Sequence, residues 1–204
     1  MPIDLPLDLL SPDLQEREVE IPVSAHDRAK GTVHVTLREM PYAALKSCQM
    51  QGLFSLGPLS KAGETLTQLR DGGGATSEAM LEMGQAFELL RLEQTELIRW
   101  GVLSHRAEDF KLKGIPIPCE TTEKKLAGQL YRVPNARMIL LYQVSSPGLA
   151  VGSLWWLLAD AVRRFQQGQV RTPEEIWSEA EAEAAKDTAP DAAPEPAPVA
   201  DAAV

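Results

Sequence analysis

The stretch from Thr76 to Trp100 constrains the fold most, because it carries the longest unbroken helical pattern in the chain. Met80, Met83, Phe87, Leu90 and Leu97 recur at three- and four-residue steps, with Gln94 in the one gap, and so define one face of a helix. Thr76 or Ser77 can cap its start, and Glu78 lies in the first turn, where the helix dipole favours an anion. Glu78, Glu82, Gln85, Glu93 and Glu96 gather on the other side, but Leu89 and Leu92 interrupt that polar face. A second apolar strip marks either a helix central in its domain or one touched by a partner. The central position is the expectation.

Two alternating runs precede it. Val19, Ile21 and Val23 alternate with Glu18 and Glu20, and Val33, Val35 and Leu37 with Thr32, His34, Thr36 and Arg38. With the polar stretch Ser24–Gly31 between them they predict a half-buried antiparallel hairpin over 17–38, which needs helices to pack on. Residues 1–16, with three prolines, predict an extended arm. Pro41 suits the first turn of a short helix facing inward through Tyr42, Leu45 and Cys48 or Gln49. Glycines over 52–74 predict a flexible connection with a short helix near Ser60–Leu69. Asp71-Gly72-Gly73-Gly74 lacks the strand, lysine and hydroxyl residue of a phosphate loop.

Gly101 is expected at the end of the central helix. The segment 101–134 reads as mostly irregular, with a small hairpin between Ile115–Ile117 and Gln129–Val133. Asn135–Val144 reads as a short buried helix, apolar nearly all round. Pro147 and Gly148 open a second helix through Leu154, Trp155, Leu158, Val162 and Phe165, ended by Gly168. No charged residue stands between Arg137 and Asp160, but Ser145-Ser146-Pro147-Gly148 in the middle favours two buried elements over a membrane span. Thr172-Pro173-Glu174-Glu175 is a capping box with proline at the first helical position, opening a helix that carries Ile176, Trp177, Ala180 and Ala184 on one side. From Asp187 onward alanine, proline, valine, acids and one threonine remain, a composition that predicts disorder. The architecture expected is therefore α+β and mainly helical. One folded domain spans 17–170, with a helical body over 41–168, a C-terminal helix over 171–186 and a tail over 187–204.

The net charge of −9 and pI near 4.9 argue against a general nucleic-acid binder, which carries a basic stripe. Met1-Pro2-Ile3-Asp4-Leu5-Pro6 has neither the basic flank nor the apolar run of a signal peptide. Cys48 and Cys119 have no metal spacing and read as incidental reduced thiols. The three histidines His26, His34 and His105 are scattered, and no set of residues suggests a triad, a metal site or a cofactor site. Adjacent Trp155 and Trp156 are both buried only if their helix is covered on two sides. Trp177 is either a dock to the body or a partner anchor.

Glu96-Leu97-Ile98-Arg99-Trp100-Gly101-Val102, then Asp109-Phe110, then Gly114-Ile115-Pro116-Ile117-Pro118, then Gly128-Gln129-Leu130-Tyr131-Arg132-Val133 resembles the tail assembly chaperones of long-tailed bacteriophages. The opening through Val33–Glu39 into a short helix is similar to theirs too. The resemblance implies a non-catalytic protein of the host cell cytoplasm. Such a protein binds the tape measure protein, with tail tube protein a second candidate partner, and helps the tube assemble, without cofactor, nucleic acid or membrane and with self-association open. Its partner-binding residues would be Leu89, Leu92, Trp155, Phe165, Ile176 and Trp177. A structural tail or neck protein of the virion, and a membrane-associated protein through Met138–Ala159, are the alternatives from other classes.

Overall fold

The computed structural model describes residues 14–70, 73–74, 76–145 and 151–187, with the side chains of all but 51–59, 68, 70 and 187. Nearly all of the arm expected over 1–16, the helix opening expected at Pro147 and Gly148, and the tail from 188 lie outside the described residues.

The fold is α+β and mainly helical. Strands β1 (Glu16–Pro22) and β2 (Thr32–Arg38) pair antiparallel with Val19 opposite Val35 and Ile21 opposite Val33. The alternation read from sequence sends Val19, Ile21, Val33, Val35 and Leu37 to one buried face. A 3-10 turn at Arg28–Lys30 joins the strands, capped by Asp27 and closed by Gly31 at φ 72°, a conformation that favours glycine.

Helices α1 (Tyr42–Arg70) and α2 (Ser77–Gly101) form a long antiparallel hairpin. The flexible connection expected over 52–74 is instead helix as far as Arg70. Gly52, Gly57, Pro58 and Gly63 each weaken a helix in isolation, but tertiary packing overrides propensity: Ala62 and Thr65 are buried, and Lys61 pairs with Glu82 at 3.6 Å. The inner face of α1 starts at Ala44 and Cys48, whereas Tyr42 and Gln49 are exposed.

Thr76 caps α2 by accepting from the Ala79 amide at 3.2 Å. Gln94, Leu97, Ile98 and Trp100 at its C-terminal end are buried, while Met83, Phe87 and Leu90 nearer its start are half-buried and Met80 is exposed. The helix is thus central only over its second half. Gly101 is its last residue, and there it meets helix α4 (Leu154–Phe165) at Val162. Close approach explains the glycine, in place of the left-handed cap expected from sequence.

The chain leaves Gly101 directly into strand β3 (Val102–His105), which pairs with β2 to complete the sheet in the order β1-β2-β3. The segment expected to be irregular holds two further hairpins. Strands β4 (Lys111–Leu112) and β5 (Ile115–Pro116) pair across Lys113-Gly114, and β6 (Thr121–Leu126) and β7 (Gln129–Pro134) pair across Ala127-Gly128. All four turn residues have positive φ, the mark of a type I′ turn whose twist suits two-residue hairpins. These local turns replace the expected pairing of Ile115–Ile117 with Gln129–Val133.

Helix α3 (Ala136–Val144) is capped by Asn135, which accepts from the Met138 amide at 3.0 Å. It buries Met138, Ile139 and Tyr142, but Leu140 and Val144 face outward, so it is not enclosed all round. Helix α4 follows Ser153 and lays Leu154, Trp155, Leu158 and Val162 on the core, with Trp156 half-buried. Helix α5 (Pro173–Asp187) opens on the expected capping box: the Thr172 amide donates to Glu175 at 2.7 Å, and the Glu175 amide donates back to Thr172 at 3.3 Å. Among the described residues no helix is long and apolar enough to cross a membrane.

Candidate interaction surface

The six residues read from sequence as partner contacts fall in three places. Trp155 is 1% exposed in the core, and Phe165 is half-buried against it, so these two hold the fold together. Ile176 and Trp177 dock α5. Ile176 is buried, the Trp177 indole N–H donates to the Ser24 carbonyl at 3.0 Å, and the Arg28 guanidinium lies 5.3 Å from the Trp177 ring centre. Of the two readings of Trp177, the structure displays the dock.

Leu89 and Leu92 alone face solvent, and the structure adds Leu81, which the sequence reading missed. Exposures are 64% at Leu81, 37% at Leu89 and 52% at Leu92. With exposed Gln85 they step by four, four and three residues, one stripe covering roughly 17 Å of the outer face of α2 at 1.5 Å per residue. Leu81 interrupts the polar face as Leu89 and Leu92 do, and the same signal would have found it. Single exposed leucines are ordinary on a protein surface, whereas an aligned row over three turns is not.

Carboxylates surround the stripe. Glu88 pairs with Arg91 at 2.9 Å, Glu82 with Lys61 at 3.6 Å, and Glu96 with Arg99, with Lys124 at 3.9 Å and, at 3.0 Å, with the Trp100 indole N–H. Glu78 lies exposed in the first turn of the helix. One turn beyond Leu89, Glu93 is tied to Arg163 of α4 at 3.2 Å.

The groups with acid–base or nucleophilic capacity lie elsewhere. His105 is buried between two partners: Nε2 contacts the Ile117 carbonyl at 2.9 Å, and Nδ1 the Tyr142 hydroxyl at 2.8 Å. A carbonyl only accepts, so Nε2 carries the proton and the Tyr142 hydroxyl donates to Nδ1. Burial pulls the imidazole pKa below its usual range and pushes the Tyr142 hydroxyl up. Cys119, with Sγ 4.0 Å from that hydroxyl, is likewise pushed up by burial, and Cys48 is pushed up to about 12. Both thiols thus stay protonated at neutral pH, the opposite of what nucleophilic catalysis needs.

On the outer face of the sheet, His34 Nδ1 meets Asp109 at 3.0 Å, and Arg106 forks onto Glu18 at 2.7 and 3.0 Å. The Arg106 hydrogen bond holds the Glu18 carboxyl below the usual carboxylate range. Thr36 and Ser104 bond to each other at 2.9 Å. These contacts join β1, β2 and β3 to the 3-10 turn at Ala107–Asp109. Among the described residues, no three His, Cys, Asp or Glu side chains are grouped to hold a metal ion.

Comparison of the chain with protein-family models, with curated proteins and with solved structures gave no match.

Proposed function

We propose that this chain is a non-catalytic tail assembly chaperone of a long-tailed phage, acting in the host cytoplasm. It binds the tape measure protein while tail tube subunits polymerise around it. The observation that carries the reading is the aligned row Leu81, Leu89 and Leu92 on the solvent side of a long helix, in a chain of net charge −9. Such a row suits recognition of an elongated helical partner through side chains at helical spacing. The acidic balance of the chain would keep a complex with an aggregation-prone partner dispersed. The likeness of Glu96–Val133 to tail assembly chaperones supplies the partner.

The test is co-expression of the full chain with the tape measure protein encoded beside it. The expected result is that the tape measure protein stays in the supernatant and co-purifies with the chain. If it pellets equally with and without the chain, the reading fails. Recovery of the chain in fixed stoichiometry from purified particles would instead make it a structural tail or neck protein.

A further inference from the structure

A groove of about 710 Å³ opens between the entry to α1 and the β6–β7 hairpin. Met40, Tyr42 and Leu45 line it from the first, Leu126 and Tyr131 from the second, and Leu14, where the described chain begins, stands in it. We infer that this groove is the seat of the chain's own N-terminal segment, residues 1–13, whose leucines and prolines cover it. None of the α2 leucines lines this groove, so the two surfaces stand or fall apart.

The backbone leads the segment into the groove. The ladder of β1 and β2 continues past Glu16: the Glu39 amide donates to the Gln15 carbonyl at 2.8 Å, and the Gln15 amide to the Glu39 carboxylate at 3.3 Å. Carrying the Glu16–Arg38 register two positions further sets Leu14 beside Met40, and the residue before it beside Pro41. The walls are held in place by other elements. The Gln166 side chain accepts from the Met40 amide at 2.8 Å and donates to the Arg38 carbonyl at 3.2 Å, and the Tyr131 ring packs edge-on against Trp100 with centres 6.0 Å apart. The volume falls in the roughly 300–1,000 Å³ range of pockets that enclose a whole ligand, far more than Leu14 alone occupies.

The chemistry of the segment matches these walls. Ile3, Leu5, Leu7 and Leu9 alternate, so an extended backbone sets them on one side. Pro2, Pro6 and Pro12 favour an extended backbone and lack the amide N–H that a sheet needs, which suits docking through side chains against an aromatic wall. Tyr42 offers such a wall, with 76% of its surface exposed. The first turn of α1 has no acidic residue of its own, and Asp13, next to Leu14, brings a carboxylate to the positive end of that helix. Two other occupants fit worse. Residues 188–204 also carry prolines, but Val199 and Val204 are their only apolar side chains larger than alanine or proline. The N-terminal segment of a second copy has the same chemistry, but it competes with one tethered at the groove itself, and a short tether holds its segment at a millimolar effective concentration.

Photo-cross-linking of the purified full chain tests the seat directly. Benzoylphenylalanine is incorporated in place of Tyr42, an exposed position where the larger ring disturbs no core contact. The expected product runs as a monomer, and its peptide map joins position 42 to residues 1–13. A cross-link to residues 188–204, a cross-linked dimer, or no cross-link within the chain overturns the inference. A second measurement uses a fluorescein-labelled peptide of residues 1–13, titrated by anisotropy into the full-length wild type and the full-length variant Leu5→Asp/Leu7→Asp/Leu9→Asp. The variant vacates its groove, so the peptide should bind it at least tenfold tighter than it binds wild type, where the tethered segment competes. Adding Tyr42→Ser to that variant should weaken the peptide again, with the circular dichroism spectrum unchanged. Equal binding to wild type and variant, or binding to neither, overturns the inference.

Discussion

Gly101 closes α2 where that helix presses on α4, and replacing it with alanine tests that contact. A Cβ on Gly101 would stand 2.2 Å from Val162 Cγ1, 2.8 Å from Cγ2 and 3.0 Å from Cβ. Relaxed carbon–carbon contacts lie near 3.5–4.0 Å, so the two backbones would have to part by roughly 1 Å, or Val162 would have to leave its rotamer. Neither is easy. Val162 is fully buried, and a β-branched residue in a helix has one strongly preferred χ1. Overpacking of this kind costs about 1–3 kcal/mol. The gain in helix propensity from glycine to alanine is about 1 kcal/mol in a helix interior and smaller at a last residue. The expected net loss for Gly101→Ala is about 1–2 kcal/mol. Val162→Ala removes both Cγ atoms and alone costs about 2 kcal/mol from lost burial and the cavity left behind. In that background the two Cγ clashes are gone and only the 3.0 Å approach to Cβ remains, so the alanine at 101 becomes close to neutral and the cycle should show coupling of about 1–2 kcal/mol. Urea unfolding followed by tryptophan fluorescence reads all four proteins, with Trp100 and Trp155 buried in the same core. Equal destabilisation by Gly101→Ala in both backgrounds would refute the steric argument.

Three further perturbations follow from named contacts. Thr172→Ala removes the acceptor for the Glu175 amide and should cost about 1 kcal/mol, visible as faster hydrogen exchange over the first turn of α5; unchanged exchange there would deny the cap its role. Ala127 holds φ 48° in the β6–β7 turn, a left-handed conformation that asparagine adopts more readily than alanine because its side chain bonds locally, so Ala127→Asn should raise the urea midpoint by the equivalent of about 0.5–1 kcal/mol. Burial raises the Cys48 thiol from the ordinary 9.0 to about 12, so the folded state keeps its proton where the unfolded state releases it. That contribution is complete below pH 9 and is lost between pH 9 and 12 at up to about 1.4 kcal/mol per pH unit. Cys48→Ala should therefore flatten the alkaline decline in stability, and an unchanged slope would show that Cys48 does not drive it.

The elements legible in the sequence are those whose signal is local. The β1–β2 alternation, the Thr76 cap and three/four spacing of α2 and the Thr172–Glu175 box each specify a structure within a few residues. The length of α1 is not local: its glycines and Pro58 read as a connection, and only the surface of α2 makes burial of Ala62 and Thr65 worth forming helix for. Strand β3 is four residues long and continues from a helix without a turn residue, so only its partner β2 defines it. The β4–β5 and β6–β7 turns were legible in Lys113-Gly114 and Ala127-Gly128, but the more distant apolar runs drew the pairing elsewhere. Among the candidate contacts, Leu89 and Leu92 stood out because they break a polar face. The fates of Trp155 and Trp177 could not be separated in advance. Burial of a tryptophan depends on which elements pack around it, and Trp177 finds its acceptor at Ser24, 153 positions away.

The same helix therefore holds residues that its fold explains and residues that it does not. Leu97, Ile98 and Trp100 are accounted for by the core they fill. Leu81 and Leu92 belong to no core cluster among the described residues, and a glutamine at either position would keep the helix equally well, since leucine and glutamine have similar helix propensities. If the row served stability, Leu81→Gln/Leu92→Gln would carry the losses of core leucines, about 2–5 kcal/mol each on truncation. If it serves a partner, the double variant should stay within about 0.5 kcal/mol of wild type, as surface changes do, and fail only when the partner is added. Urea unfolding of the isolated chain separates the two: a loss above about 2 kcal/mol would return the row to the core and leave the surface without a function.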